Sequence, residues 1–269
     1  MAEISAKDVK KLRDATGAGI LDAKKALTDT NGDHEAAARL LREKGLAKAD
    51  QRAGRDATQG AIAAAFVAAT GVAALVQLKS ETDFVAKSPT FIQLATDLAA
   101  LVAEQGEDAV ASRKDAIEEL QVTLRENIQL GRVVRFVAGD GNILETYLHM
   151  QSGRGVNGVL VEIAGGDAEL AHDIAVHIAF GKPNYLSRED VPAEDVEAER
   201  TTLEAQTRNE GKPDQAIAKI VEGKVQGWYK RVPGGVLLEQ PYAKDEKQTV
   251  SQVLGSAKVV RFAQVLIGE

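Results

Sequence analysis

Gly153-Arg154-Gly155-Val156-Asn157-Gly158 has the spacing of a glycine-rich dinucleotide loop. Such a loop cradles a pyrophosphate only where a strand ends and a helix begins. Here strand-like runs lie on both sides, so the segment reads as a hairpin turn. No G-x-x-x-x-G-K-[ST] occurs, so the chain has no P-loop of its own. Asp29-Thr30-Asn31-Gly32-Asp33 offers calcium-type oxygens, but its glycine comes too early for an EF-hand. The four histidines, His34, His149, His172 and His177, show no metal-ligand spacing, and there is no H-E-x-x-H. With no cysteine, disulfides, thiolate catalysis and Cys-based metal centres are excluded. No nucleophile, base and orienting residue stand out as a set. An enzyme is not expected, nor a cofactor or a metal.

Two places remain. Glu81-Thr82-Asp83-Phe84-Val85-Ala86-Lys87 joins a strand to a helix and is rimmed by charge. Phe84 either folds back into the core or stands out as an aromatic wedge, the kind of side chain that anchors protein interfaces. His177 lies at the flank of its helix's apolar stripe, about 60° from Ile174. It is either a satisfied, partly buried histidine or an interface residue.

The elements that position these residues are built with few aromatics. The 269 residues include 6 Phe, 4 Tyr and 1 Trp, so cores must come mainly from Ala, Val, Leu and Ile. The length suits about two domains, and 44% hydrophobic content is enough for packed cores. A net charge of −7 argues against a general nucleic-acid binder. Charge is uneven: residues 1–55 carry 12 Lys and Arg against 9 Asp and Glu, and the rest carries 21 against 31. The N-terminus has no apolar signal region and is not a transit peptide, and no apolar run could span a membrane. A cytoplasmic location is expected.

Residues 1–45 read as three short helices. Ser5 and Asp8 form a capping box, Gly17 closes the first helix, and Val9 and Leu12 mark its inner face. Leu21, Ala23 and Leu27 mark the second helix. Asp33 caps the third, with Ala37, Leu40 and Leu41 inward and Gly45 as its end. Residues 46–59 read as a linker helix or hinge. Gly60–Ala68 and Gly71–Lys79 read as a hairpin. Ser88 and Pro89 open a helix with Phe91, Leu94, Ala95, Leu98, Leu101 and Val102 on one face. Ser112 and Asp115 start another, with Ile117, Leu120, Leu124 and Ile128 inward and Gly131 as stop.

Arg132–Ala138, Ile143–Met150 and Val156–Ala164 read as strands. Asp167 then caps a helix with Leu170, Ala171, Ile174, Ala175 and Ile178 inward. Hairpin-then-helix thus occurs twice, which predicts two related α+β lobes. Val133-Val134-Arg135-Phe136 recurs as Val259-Val260-Arg261-Phe262, an equivalent strand for each lobe. Between Pro192 and Val232 lie two polar helices, hinged at Gly211-Lys212-Pro213. Their sparse seam is Val196, Leu203, Ile217, Ile220, Val221, Val225 and Trp228. The chain returns through Val236–Gln240, a short helix capped by Thr249 and Gln252, and a Val259–Ile267 strand. The remaining phenylalanines, Phe66 and Phe180, fall in apolar runs and are assigned to cores.

Two segments carry a resemblance to a known family. Leu12-Arg13-Asp14-Ala15-Thr16-Gly17-Ala18-Gly19-Ile20-Leu21-Asp22-Ala23-Lys24-Lys25-Ala26-Leu27 is similar to the N-terminal signature of bacterial elongation factor Ts. Ser80-Glu81-Thr82-Asp83-Phe84-Val85-Ala86-Lys87 is similar to its T-D-F-V signature. His177-Ile178-Ala179 with Pro183, then Pro192 and Leu238-Glu239-Gln240-Pro241, extend the similarity along nearly the whole chain.

The resemblance implies a guanine-nucleotide exchange factor for elongation factor Tu in translation elongation. It implies a ubiquitin-associated-like bundle and linker over 1–55, and core subdomains over 56–140 and over 141–192 with 231–269. A coiled-coil hairpin would be inserted over 193–230. By carry-over Thr82, Asp83, Phe84 and Val85 enter the GTPase beside its Mg²⁺ and phosphate site and dislodge the ion. Phe84 wedges between helices, and Arg13, Ile20, Leu21 and His177 make further contacts. No direct nucleic-acid or membrane partner is implied. The hairpin leaves open a homodimer, a 2:2 complex or a contact with the GTPase. This sequence departs from the pattern at Ile20-Leu21, where the family often has two methionines. It also ends after its last strand, where many relatives continue into a C-terminal helical module, so no third contact region is expected. Two other classes stay open: an adaptor of the ubiquitin-associated type without exchange activity, and a small α/β enzyme using the Gly153–Gly158 loop.

Overall fold

A computed structural model describes residues 4–268. Ser5 accepts the backbone N–H of Asp8 and starts α1 (Ala6–Thr16), which ends on Gly17 in the left-handed region at φ 66°. α2 (Ile20–Asp29) follows, then α3 (His34–Asp50), capped by Asp33, which accepts from Glu35 and Ala36. Val9, Leu12, Ala23, Ala26, Leu27, Ala37 and Leu41 are the bundle's core, while Leu40 is only partly buried. Gly45 does not end α3, contrary to the sequence expectation. It lies inside the helix, where a Cβ would come within 2.6 Å of Val122 Cγ1. Its role is close approach to Val122, not chain reversal.

The chain then forms a hairpin of β1 (Gln59–Val67) and β2 (Val72–Ser80), in register from Gln59↔Ser80 to Val67↔Val72. A one-turn helix, α4 (Asp83–Ala86), and the long α5 (Pro89–Gln105) follow. A 3-10 turn over Glu107–Arg113 leads into α6 (Lys114–Leu124). Here the sequence expectation is corrected twice. Ser112 is no cap; its hydroxyl donates back to the Ala109 carbonyl at 2.7 Å. Arg125, at φ 60°, ends the helix early. Ile128 is buried beyond the helix, and Gly131 lies inside β3 (Gln129–Val137). An i, i+4 run of aliphatics continued past the real stop by coincidence of spacing.

β4 (Ile143–Gln151) and β5 (Arg154–Ala164) form the second hairpin. Ser152 and Gly153 join them with φ 53° and 80°, both in the region a two-residue type I′ turn demands. Of the glycine-rich segment read as a hairpin turn, only Gly153 is in the turn; Gly155 and Gly158 lie inside β5. Asp167 accepts the Leu170 N–H and caps α7 (Ala168–Gly181). The polar pair α8 (Ala193–Asn209) and α9 (Asp214–Tyr229) close on Leu203, Ile217, Val221, Val225 and Tyr229. A small hairpin of β6 (Pro241–Tyr242) and β7 (Asp245–Thr249) leads to α10 (Val250–Leu254), where Thr249 and Gln252 form a complete capping box. β8 (Lys258–Leu266) ends the fold. The architecture is α+β.

The main sheet has the order β3-β2-β1-β5-β4, with β8 also on β5. β1 pairs with β5 at Ile62↔Gly155 alone, so the sheet folds over that junction into two three-stranded halves. α5 covers the outer face of one half through Phe91, Leu98 and Val102. α7 covers the other through Ile174, Ala175 and Ile178. The inner faces meet through Ile62, Ala73, Leu75, Leu144, Leu160, Ala263 and Val265. β3 and β8 hold matching places in their halves, as the repeated Val-Val-Arg-Phe suggested. The match does not extend to facing: a register shift at Glu162/Ile163 turns Phe262 toward α7, while Phe136 faces the inner core.

The outer edges of β3 and β8 are bridged by side chains. Arg132 donates to the Gln264 carbonyl at 2.8 Å and Arg261 to the Val137 carbonyl at 2.6 Å. Gln77 donates to the Leu266 carbonyl at 2.8 Å and accepts from Arg132 N–H. Leu75, fully buried in the inner core, tests that packing. Leu75→Ala is expected to cost about 2–5 kcal/mol, read by urea denaturation followed by circular dichroism. A cost below about 1 kcal/mol would mean that the inner faces do not pack.

Candidate partner-docking site

The segment Glu81–Lys87, read as joining a strand to a helix, follows the end of β2 at Ser80 and itself contains α4. Four residues are too few for a helix to hold by itself, and the surroundings tie it down. Thr82 is the N-cap, and its Oγ1 accepts the Val85 N–H at 3.4 Å. The same hydroxyl donates to Glu126, whose Oε2 accepts the backbone N–H groups of Glu81 and Thr82 at 3.1 and 3.0 Å. Ser80 Oγ donates to the Thr82 carbonyl at 3.0 Å. Ala86 is fully buried and Val85 packs on the core beneath α5.

The other two side chains of α4, Asp83 and Phe84, point the other way. Phe84 is 83% exposed. Of the two sequence readings, folded back or standing out, the structure has the second. Beside it Asp83 pairs with Lys87. The hydrogen bond from Lys87 holds the Asp83 carboxyl below its ordinary range, helped by the charges of Lys87 and Arg154. Asp83 is therefore an anion at neutral pH.

The anchor extends toward the N-terminal bundle. Glu81 accepts the Asn127 N–H at 2.6 Å and pairs with Arg55 at 3.3 Å. Asn127 Nδ2 donates to the carbonyls of Ala53 and Arg55 at 3.2 and 2.6 Å. Glu126 and Asn127 were not found by sequence reasoning. They follow the αL residue that ends α6, and nothing in their spacing connects them with residues about 45 positions earlier.

The other sequence-selected residues lie apart from α4. Leu21 is 81% exposed and Ile20 more than half exposed, side by side in the first turn of α2. Arg13, on α1, is paired with its neighbour Asp14 at 2.5 Å.

His177 requires a correction. It is 1% exposed, so it offers no surface to a partner. Nδ1 accepts the Ala243 N–H at 3.1 Å, which leaves the proton on Nε2 to donate to Gln240 Oε1 at 3.0 Å. Gln240 Nε2 donates to the carbonyls of Gly181, Arg231 and Gly234. Segment 240–243 thus covers the flank of α7 that the helix alone would leave open. The exposed aromatic of α7 is Phe180, at 62%. Phe66 is also half exposed, so the core assignment of both fails. Each sits at the end of its element, beyond the reach of the packed layers.

Burial pushes the His177 pKa down, partly offset by its bond to Gln240. In the unfolded chain the imidazole takes up its proton near pH 6.5. The unfolded state then binds more protons, so this contribution is intact above that pH and declines as pH falls below it. Stability should drop between pH 7.5 and 5.5 in the native protein and drop less in His177→Gln, measured by thermal melts. Equal slopes would show that His177 does not stay neutral in the fold.

Among the described residues no group of three or more His, Cys, Asp or Glu is placed to hold a metal ion. No helix of the described residues is long and apolar enough to cross a membrane. The family model for Elongation factor TS matches residues 81–269. The chain is 46% identical over 283 residues to Elongation factor Ts of Acidothermus cellulolyticus, covering 100% of both chains. It is 45% identical over 271 residues to that of Paenarthrobacter aurescens, covering 96% of each. With that of Alkalilimnicola ehrlichii it shares 42% identity over 282 residues, 99% of this chain and 92% of the relative. With the family's model matched from the T-D-F-V segment onward and relatives similar from end to end, the chain belongs to the elongation factor Ts family, and so to the elongation factors of protein biosynthesis.

Proposed function

We propose that this protein is a guanine-nucleotide exchange factor that binds the GDP form of elongation factor Tu, displaces its Mg²⁺ and releases GDP. The observation that carries the reading is Phe84, an exposed phenyl ring on a one-turn helix whose backbone is held from behind. Nearly all of the ring's apolar area is free to be buried. Full burial of a phenylalanine is worth about 1.5–3 kcal/mol, and a held backbone limits the ordering cost.

The four residues of the T-D-F-V segment divide by role. Thr82 and Val85 hold the segment to the rest of the protein, Thr82 by its bond to Glu126 and Val85 by packing on the core. Asp83 and Phe84 face outward. A wedge that separates elements around a bound nucleotide weakens metal and phosphate contacts, and an anion beside it competes with phosphate for the metal's field. Ile20 and Leu21 supply a second apolar contact from the bundle. His177 supports the end of α7 from inside and acts on the partner only through that positioning. Exchange makes and breaks no covalent bond, so the reading needs no acid, base or cofactor. It places the protein in the cytoplasm.

The adaptor reading predicts binding without release and rests on Ile20 and Leu21 alone. Release of a fluorescent GDP analogue from elongation factor Tu separates the two. The protein is expected to accelerate release strongly. Phe84→Ala should lower the acceleration tenfold or more and leave the unfolding midpoint unchanged. Glu126→Ala should lower it several-fold by freeing the N–H groups of Glu81 and Thr82. Binding without acceleration would favour the adaptor, and full activity in Phe84→Ala would remove the wedge.

A further inference from the structure

A second site lies where α7 and α9 deliver the chain toward β8. There a cleft of about 860 Å³ is lined by Arg132, Lys182, Arg231 and Arg261, with Asp190 as its acidic residue. Arg261 is already engaged by Glu162 at 2.7 Å. Asp190 is committed to the N–H and O–H of Ser187, both at 2.8 Å. Arg132 spends one N–H on the seam. Lys182 and Arg231 have no acidic partner among the described residues. In a chain of net charge −7, this cleft is positive.

Its donors converge. A Cβ built on Gly234 would lie 3.5 and 3.6 Å from Arg231 Nε and Nη2 and 3.7 Å from Asn184 Nδ2. Gly234 has φ +100° and no side chain, so that point is open. None of the three nitrogens donates to a described acceptor. The backbone beneath them is fixed: fully buried Gln240 binds the carbonyls of Gly181, Arg231 and Gly234, and Gly234 N–H donates to Gly181 at 3.0 Å. Lys182 stands at the same end of α7, in the left-handed cap position.

We propose that this cleft binds a compact oligophosphate, either a free polyphosphate or the phosphate tail of a nucleotide. A guanidinium fork beside an amide donor matches a tetrahedral oxyanion. Cations from separate elements match a ligand bearing several such groups. The volume is that of a small-molecule site. A nucleic-acid strand fits less well. The cations surround one hollow and do not form a track along which a strand's phosphates could run. A long polyanion would also meet the acidic remainder of the chain. A compact one, with screening over about 8 Å in physiological salt, feels mainly the cleft.

Isothermal titration calorimetry of the full chain with inorganic tripolyphosphate tests this. Saturable binding that weakens with added salt is expected. Arg231→Gln and Lys182→Gln should each lower affinity tenfold or more, while Lys230→Gln, the same charge change outside the cleft, should leave it unchanged. Lys182 and Arg231 are exposed and make no side-chain bonds, so unchanged thermal melts should accompany the loss. GTP or ATP binding more tightly than tripolyphosphate would assign the nucleotide, and equal binding the free polyphosphate. No saturable binding, binding indifferent to Arg231→Gln, citrate bound as well as tripolyphosphate, or binding of a single-stranded oligonucleotide alone would each overturn the proposal.

Discussion

The structure depends on two half-sheets burying their inner faces against each other. On that contact β1 supplies Ile62 and Ala64 and β2 supplies Ala73 and Leu75, while Ala61, Ala63 and Ala74 face α5 on the other side. β2 is therefore covered on both faces, by α5 outside and by the second half-sheet inside, and is buried over nearly its whole length. Backbone pairing contributes little to the join, with a single register pair between β1 and β5. Arg132, Arg261 and Gln77 donate across the far seam to carbonyls that would otherwise be sheet edges. The two arginine bonds are charge-assisted and stronger than neutral ones. They also cover two edges that could pair with other chains.

Both candidate sites grow from this join. β2 ends at Ser80, so the rigidity of the most buried strand passes directly to Thr82 and α4. Glu126 adds the second fixed point, and Glu81, Asn127 and Arg55 continue it toward the bundle. Exposing Phe84 costs little stability because Val85 and Ala86 fill the core beneath. At the other end, the β8 edge and the turn after α9 enclose the basic cleft. There His177 and Gln240 replace a hydrophobic plug with a satisfied polar one. The bonds of Gln240 fix the backbone of Arg231 and Gly234, and the imidazole fixes Gln240.

Features encoded within a few residues were legible in the sequence. Gly17, Asp33, Asp167 and the Thr249–Gln252 box cap the helices they were read to cap, because a cap is a contact between residues two or three apart. The Ser152-Gly153 turn was legible for the same reason. Exposure was less so. Phe84 could be singled out only because its neighbours are polar, whereas Phe66 and Phe180 sit in apolar runs that end at the edge of a layer. His177 shows the converse. Its helix stripe left it at a boundary, and residues 240–243, more than sixty positions later, decide that it is inside. Glu126 gave no local signal because its whole function is a contact between distant segments. Gly45 and Gly131 were read as stops, yet both mark close approaches, to Val122 and to Gln77. A glycine needed for space and one needed for φ look alike in a sequence.

In the proposed exchange mechanism the energetics limit what a single wedge can do. Burying Phe84 yields about 1.5–3 kcal/mol, and only the part realised in the nucleotide-free state weakens GDP binding. By linkage that part is also what GTP must overcome to expel the factor. A coupling of this size changes an affinity by roughly 10–150-fold. Moving an equilibrium from 1:99 to 99:1 takes about 5.5 kcal/mol. Phe84 alone falls short, so any larger effect must combine contacts realised together. Ile20 and Leu21, exposed on the bundle, would add such a contact, and the network from Glu81 through Asn127 to Ala53 and Arg55 joins the chain after the bundle to the wedge. An exchange factor built this way needs rigidity between its anchors more than affinity at any one of them. The polar network that ties α4 to the linker supplies it without adding apolar surface.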